Sequence, residues 1–217
     1  MMTQSLREIF IRDFQRYHGN RYPGRCVGVR STLRILFGSP GFITLVLHRL
    51  TRYGMQTPAR GAVRWIRLLW LGPVRWLQLK LPRAIAKIYI TPDTQIGTDI
   101  WLSDSGHMII GAFSLGHGCV IHKRVTIGMA HSNKGHLPRI GSNVWIGSNC
   151  LIYGGIQIAD GVTILPGTVL SKSVPATGIV LQGNPARVIC NDFDNSRLRA
   201  SSNPDASSFL PDQITVS

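Results

Sequence analysis

Acidic side chains are scarce in this chain. Of 217 residues only 10 are Asp or Glu against 24 Lys or Arg, a formal charge of +14. Charged residues of both signs make up 16%, below the roughly 25% usual in soluble domains, so the protein is one-sidedly basic rather than densely charged. Cysteine is sparse too. Cys26, Cys119, Cys150 and Cys190 are irregularly spaced, with no C-x-x-C and no Cys/His cluster, which excludes a zinc ribbon or finger and makes reduced thiols the expectation. Long apolar runs are missing: residues 42–47 are followed by His48-Arg49, far short of the ~18 apolar residues a membrane-crossing helix needs. The opening MMTQSLREIFIRDFQRY lacks the apolar stretch of a secretory signal. A cytoplasmic location is expected, with peripheral attachment to the inner membrane face as a further option. The 44% apolar content excludes wholesale disorder.

The charge is unevenly placed. Residues 1–90 hold 16 basic residues, 14 of them Arg, and only two acids, Glu8 and Asp13; residues 91–217 hold 8 of each sign. Two segments with different roles follow. The first reads as mainly helical, with helices expected over about 5–18, from Ser39-Pro40 to about Thr51, and over 59–71. On the third, Arg60, Arg64 and Arg67 share one face and Val63, Ile66 and Trp70 the other. Trp65, Trp70 and Trp76 interleave with arginines and leucines, a pattern that suits an anionic membrane surface. The bland alternative is that these faces cap the end of the following domain. Nucleic acid is not expected, since no nucleic-acid motif accompanies the charge.

The second segment repeats. An aliphatic residue returns every six positions at Ile140, Ile146, Ile152, Ile158, Ile164 and Leu170, preceded two positions earlier by Pro138, Val144, Cys150, Ile156, Val162 and Thr168. The same spacing links Ile90, Ile96 and Leu102, then Leu115, Ile121 and Ile127. Six is neither the helical period nor strand alternation. It predicts short strands and tight turns, three to a triangular coil, with the aliphatics stacked inside. Gly118, Asn143, Asn149 and Gly161 suit turns with unusual backbone angles. Cys119 and Cys150 fall on inward positions as small core fillers. Trp101, Trp145 and Tyr153 are expected at edges or between protomers.

Residues 140–189, the coil VIHKRVTIG (120–128) and the closing GNPARVI resemble the hexapeptide-repeat acyltransferases of the left-handed parallel β-helix class. Within that class they are most similar to serine acetyltransferases and their exopolysaccharide-biosynthesis relatives. The resemblance covers about residues 88–190. It implies a mainly β fold over 88–190, which follows the basic helical region (1–87); residues 191–217, rich in Ser, Asp, Asn and Pro, are expected to form a disordered tail. It also implies a homotrimer with active sites between neighbouring prisms, acetyl-CoA as acyl donor and no metal.

A regular coil has no cavity, so chemistry is expected where the period fails. The breaks are the insertion SDSGHMI after Leu102, a deletion between Ile110 and Leu115, and the loop GMAHSNKGHLPR between Ile127 and Ile140. His107, His117, His122, His131 and His136 cluster in or beside them. Acyl transfer from a thioester to a hydroxyl needs a base of near-neutral pKa and donors for the developing oxyanion. Coil counting places Leu102 and Ile121 on one side of consecutive coils, which lets Asp104 orient His122 as base; His107 lies in the same widened turn. By resemblance, the family's catalytic His falls at Asp104 and its partner Asp at Tyr89, so both positions depart from the pattern. His131 is the rival base by likeness to maltose- and galactoside-type relatives. His136 and Arg139, around the shifted H-P-K-I-like element, would contact the acceptor together with His107. Gly128, Ser148 and Pro166 would line the donor path, and Lys172 and Arg187 would meet its phosphates. Three readings stand: a sugar O-acetyltransferase of cell-surface polysaccharide, a serine O-acetyltransferase of cysteine biosynthesis, and a non-catalytic trimeric scaffold.

Overall fold

The computed structural model describes residues 5–56, 72, 73, 76, 87–130 and 137–200. Helices α1 (Leu6–Arg21), α2 (Val29–Gly38) and α3 (Pro40–Gln56) precede fifteen short strands, and α4 (Ser196–Ala200) follows them. The expected helix over 59–71 and the tail beyond residue 200 lie outside the described residues.

The strands form three sheets, and each coil contributes one strand to each, except that the last coil meets sheet B only through a bridge from Val174 to Ile158. Sheet A stacks β1 (Ile88–Ile90), β4 (Met108–Ile110), β7 (Thr126–Gly128), β10 (Leu151–Tyr153) and β13 (Val169–Leu170). Sheet B stacks β2 (Gln95–Ile96), β5 (Ser114–Leu115), β8 (Arg139–Ile140) and β11 (Gln157–Ile158). Sheet C stacks β3 (Trp101–Leu102), β6 (Val120–Ile121), β9 (Trp145–Ile146), β12 (Thr163–Ile164) and β14 (Val180–Gln182), and ends in β15 (Arg187–Cys190). Every pairing is parallel except β14 with β15. The result is a parallel β-solenoid of five coils, the prism that the six-residue period predicts.

The register follows that period. Ile140 lies beside Ile158, Ile146 beside Ile164 and Ile152 beside Leu170, all buried in the prism core. Each such side chain contributes about 1.5–3 kcal/mol when withdrawn from water. Leu102, Ile121 and Ile146 form one inward column. Gly118, Asn143, Asn149 and Gly161 all have positive φ, between 58° and 70°, as their tight turns require. At the edge between sheets B and C, Gly116 lies against the next coil so closely that a Cβ would stand 2.5 Å from the Gly141 carbonyl. Side chains there would force successive coils apart.

The helical region caps the prism's first coil. β3 is an edge strand, and open edges need cover. The Tyr17 hydroxyl lies 2.9 Å from both the Leu102 carbonyl and its amide, donating to one and accepting from the other. Asp13 accepts from the Ile100 amide at 3.2 Å and pairs with Arg49 of α3 at 3.1 Å. Arg49 in turn donates to the carbonyls of Ile96 and Gly97. Burial raises the Asp13 carboxyl above its usual range, opposed by Arg49 and the Ile100 amide.

α1 and α3 begin where expected, α3 with Pro40 at its first position, a site that spends no needed N–H. α2 is an additional helix, outside the three expected from the sequence. Within the segment 191–217, residues 191–200 are described, and α4 meets both the prism and α1. Asn195 donates to the carbonyls of Asn143 and Gly161, and Arg16 of α1 donates to the carbonyl of Arg199 in α4.

Candidate active site

The turn between β3 and β4 carries Asp104 and His107 at the edge where sheets C and A meet. Asp104 does not orient His122. Its carboxylate accepts from the Gly41 amide at 3.3 Å, at the start of α3, and pairs with Arg21 at 3.3 Å. Burial raises its pKa, opposed by the Gly41 amide, Arg21 and Ser39. A carboxylate suits the positive end of a helix, so the residue that departs from the family pattern joins the helical cap to the prism. A cavity of about 210 Å³ beside it is lined by Tyr17, Asn20, Arg21, Trp101 and Asp104.

His122 follows the inward Ile121 and therefore faces out from sheet C. Val120, also outward, pairs with Trp101 on one side and Trp145 on the other. Valine is too small to fill the space between two indoles, and the His122 ring occupies it. Its centroid lies 5.2 Å from that of Trp101 and 4.8 Å from that of Trp145. The residue is 2% exposed, and its Nε2 is buried with no hydrogen-bond partner among the described residues. Burial, with a smaller push from Lys123, lowers its pKa to about 4. The arrangement makes it a packing element. Trp145, expected at an edge or interface, is fully buried within the chain.

The remaining histidines divide. His107 is exposed. His117 is exposed at the edge between sheets B and C, where its Nδ1 accepts from the Thr98 amide at 3.0 Å. His131 and His136 lie outside the described residues. Tyr89, at the position of the family's Asp, lies in β1 beside Ile109.

The other predicted residues fall on different edges of the prism. Ser148 and Pro166 occupy successive turns from sheet C to sheet A, and a Cβ on Gly147 would sit 2.6 Å from the Pro166 nitrogen. Ser148 has a buried Oγ with no partner among the described residues. Arg187, exposed in β15 opposite Gln182, continues this edge. Gly128 lies at the edge between sheets A and B, where it accepts from the Gly154 amide at 3.1 Å. Lys172 is exposed in a later turn of that edge. Arg139 is exposed on sheet B, its guanidinium 3.7 Å above the Phe113 ring, on the face opposite the edge that carries His107. Lys123 and Arg124, exposed one coil before Ser148, went unnoticed in the sequence because nothing in the repeat distinguishes them. Arg21 and Tyr17 were also missed, since their partners come from a distant part of the chain.

Cys119 and Cys150 are core groups as expected: buried, donating to the carbonyls of Gly141 and Leu165 at 3.2 Å, with burial raising their pKa to about 12 and about 11. Among the described residues no cluster of His, Cys, Asp or Glu is placed to hold a metal ion.

Five three-sided coils with aliphatics stacked inside define a hexapeptide-repeat solenoid, and residues 138–172 match the family model for the bacterial transferase hexapeptide (six repeats). The relatives are more specific. The chain is 31% identical over 163 residues to the serine acetyltransferase of Synechococcus elongatus, covering 74% of this chain and 61% of that protein. It is 44% identical over 57 residues to the galactoside O-acetyltransferase of Escherichia coli, 25% of this chain and 28% of that one. The fold superposes on the serine acetyltransferase of Brucella abortus solved in complex with coenzyme A, with a TM-score of 0.66, 22% identity and coverage of 85% and 68%. The chain is thus a hexapeptide-repeat protein with serine acetyltransferase homologues, and it spans less than two thirds of the length of the first of these relatives.

Proposed function

We propose that this protein is an acetyl-CoA-dependent O-acetyltransferase of the serine acetyltransferase type, with serine as its acceptor. The observation that carries this reading is the alignment with a serine acetyltransferase, which extends over 163 residues and so includes more than the repeat. The reaction is direct. A histidine takes the proton from the acceptor hydroxyl, the oxygen attacks the thioester carbonyl, and the coenzyme leaves as its thiolate, which takes up a proton. We place the base among His107, His131 and His136, the histidines that lie within the two insertions that break the repeat.

The donor path is read along the edge of Ser148, Pro166 and Arg187, with Lys123 and Arg124 as additional cations for its phosphates. Gly128 and Lys172 belong to a different edge of the same prism. A site that draws on both is completed by a second copy, and this supports a trimer with its active sites between prisms.

Acetyl-CoA with serine should release free thiol, read with a chromogenic disulfide. Replacing His107, His131 or His136 singly by Ala should lower kcat at least about 100-fold at one position. Absence of turnover with every hydroxyl acceptor, together with absence of coenzyme binding by calorimetry, would leave the scaffold reading. A second acceptor class, a sugar hydroxyl of a cell-surface polysaccharide, is favoured by one observation. The turn that carries the family's base is here closed by Arg21 and the start of α3, so the acceptor pocket differs at that point. Turnover with galactosides or other glycans but not with serine would select it.

A further inference from the structure

The first 56 residues carry an amphipathic helix whose apolar side faces solvent. In a globular helix the apolar stripe packs on the core. In α2 the relation is reversed. Ile35 alone is buried, whereas Val29 and Phe37 are 78% and 79% exposed, and Leu33 and Leu36 are 49% and 41% exposed. At 100° per residue these four fall within an arc of about 100°, on the side away from Ile35. Val27, 59% exposed just before the helix, extends the patch. An apolar groove of about 560 Å³ adjoins it, lined by Phe10, Ile11, Phe14, Leu36, Phe42 and Val46 among others.

The charge around this patch is of one sign. Arg25, Arg30 and Arg34 are exposed, and none forms an ion pair among the described residues. The two acids of this region do not offset them, because Asp13 is buried against Arg49 and Glu8 stands in the first turn of α1. On the helix, Arg30 and Arg34 border the arc directly beside Phe37.

We propose that α2 lies flat on an anionic lipid bilayer, with Val29, Leu33, Leu36 and Phe37 in the acyl boundary and Arg25, Arg30 and Arg34 on the lipid phosphates. Apolar side chains flanked by arginines suit an interface that is apolar within and anionic above. The alternative of a crossing segment fails on packing. No single helix among the described residues is long and apolar enough to cross a membrane, and α2 with α3 would pass only as a pair bent by 76°. α3 is committed to the prism through the buried Arg49 and cannot leave it. The contact therefore belongs to α2 and gives a peripheral attachment. The inference goes beyond acetyl transfer and does not depend on it.

The test is flotation of the full chain with vesicles of phosphatidylcholine, with and without about 30 mol% phosphatidylglycerol. Binding should require the anionic lipid and weaken in about 0.5 M salt. Leu33→Asp with Phe37→Asp should reduce binding by tenfold or more. Replacing the three arginines by Gln should weaken it about fivefold each, on the order of 100-fold together. Phe37→Trp should retain binding, and circular dichroism should be unchanged in every variant because the altered side chains are exposed. Equal binding to neutral vesicles, or undiminished binding by the Asp variant, overturns the proposal. So does an absence of vesicle binding accompanied by a change in soluble mass between wild type and the Asp variant, which would show a second copy on this face.

Discussion

His122 is the residue whose assignment changes most between sequence and structure, and its environment yields a measurable quantity. In the native state the ring between Trp101 and Trp145 stays neutral down to about pH 4, against an ordinary value of 6.5. The unfolded chain takes up the proton already below 6.5. Stability from this group is therefore complete above pH 6.5 and is lost as the pH falls towards 4. The gap of about 2.5 units, at 1.36 kcal/mol each, amounts to about 3 kcal/mol, a large part of a typical 5–15 kcal/mol domain stability. Replacing His122 by Phe keeps an aromatic ring of similar size and removes the titration. Urea unfolding followed by tryptophan fluorescence should show similar stabilities at neutral pH, because Nε2 has no hydrogen bond to lose. Between pH 6.5 and about 4 the variant should keep about 3 kcal/mol that the wild type loses. His48, held to about 3 by burial and by Arg49 and Arg52, supplies the acid limb common to both proteins. Superimposable acid limbs would refute the buried, neutral imidazole. A loss of turnover of 100-fold or more in a folded His122→Phe protein would return the residue to the role of base.

The buried Asp13–Arg49 pair attaches two helices to the first coil, so Arg49→Leu should lower stability by about 3–5 kcal/mol, read as a fall in Tm, because it leaves a buried carboxylate unpaired. Gly116→Ala should cost more than about 2 kcal/mol in denaturant unfolding, since its Cβ meets backbone rather than a movable side chain. Asp104→Asn keeps an acceptor for the Gly41 amide and loses only the partly exposed partnership with Arg21, a change of at most about 1 kcal/mol. Its turnover should stay within a few-fold of wild type, and a 100-fold loss would show that the carboxylate acts on the reaction.

Much of the architecture was legible because it is local. A residue such as Ile146 or Ile164 faces inward for the same reason each time: six residues make one strand and one turn, and only the aliphatic position tolerates the interior. The positive φ of Asn143 and Asn149 follows from the same turn geometry. The breaks in the period also located the exposed candidate His107. The cap was not legible. α2 presents its apolar arc outward, and spacing along a sequence does not say which face of an amphipathic helix is covered. Asp104 and Tyr17 find partners across 63 and 85 residues of sequence, and no local pattern encodes those meetings.

The amino-acid sequence alone determined that this chain forms a coil of hexapeptides, that its positive charge belongs to the N-terminal region, and where regularity fails. These are properties of composition and spacing, set by steric fit within a single repeat. Only the tertiary structure decided which side chains share an edge. It put His122 between two indoles because Val120 leaves a gap there, gave Asp104 to the start of α3, and divided the donor candidates between two edges of the prism, with His107 on the edge of Ser148 and Pro166. Those outcomes depend on how coils stack and on what the helices cover, and both are set by contacts between residues far apart in the chain.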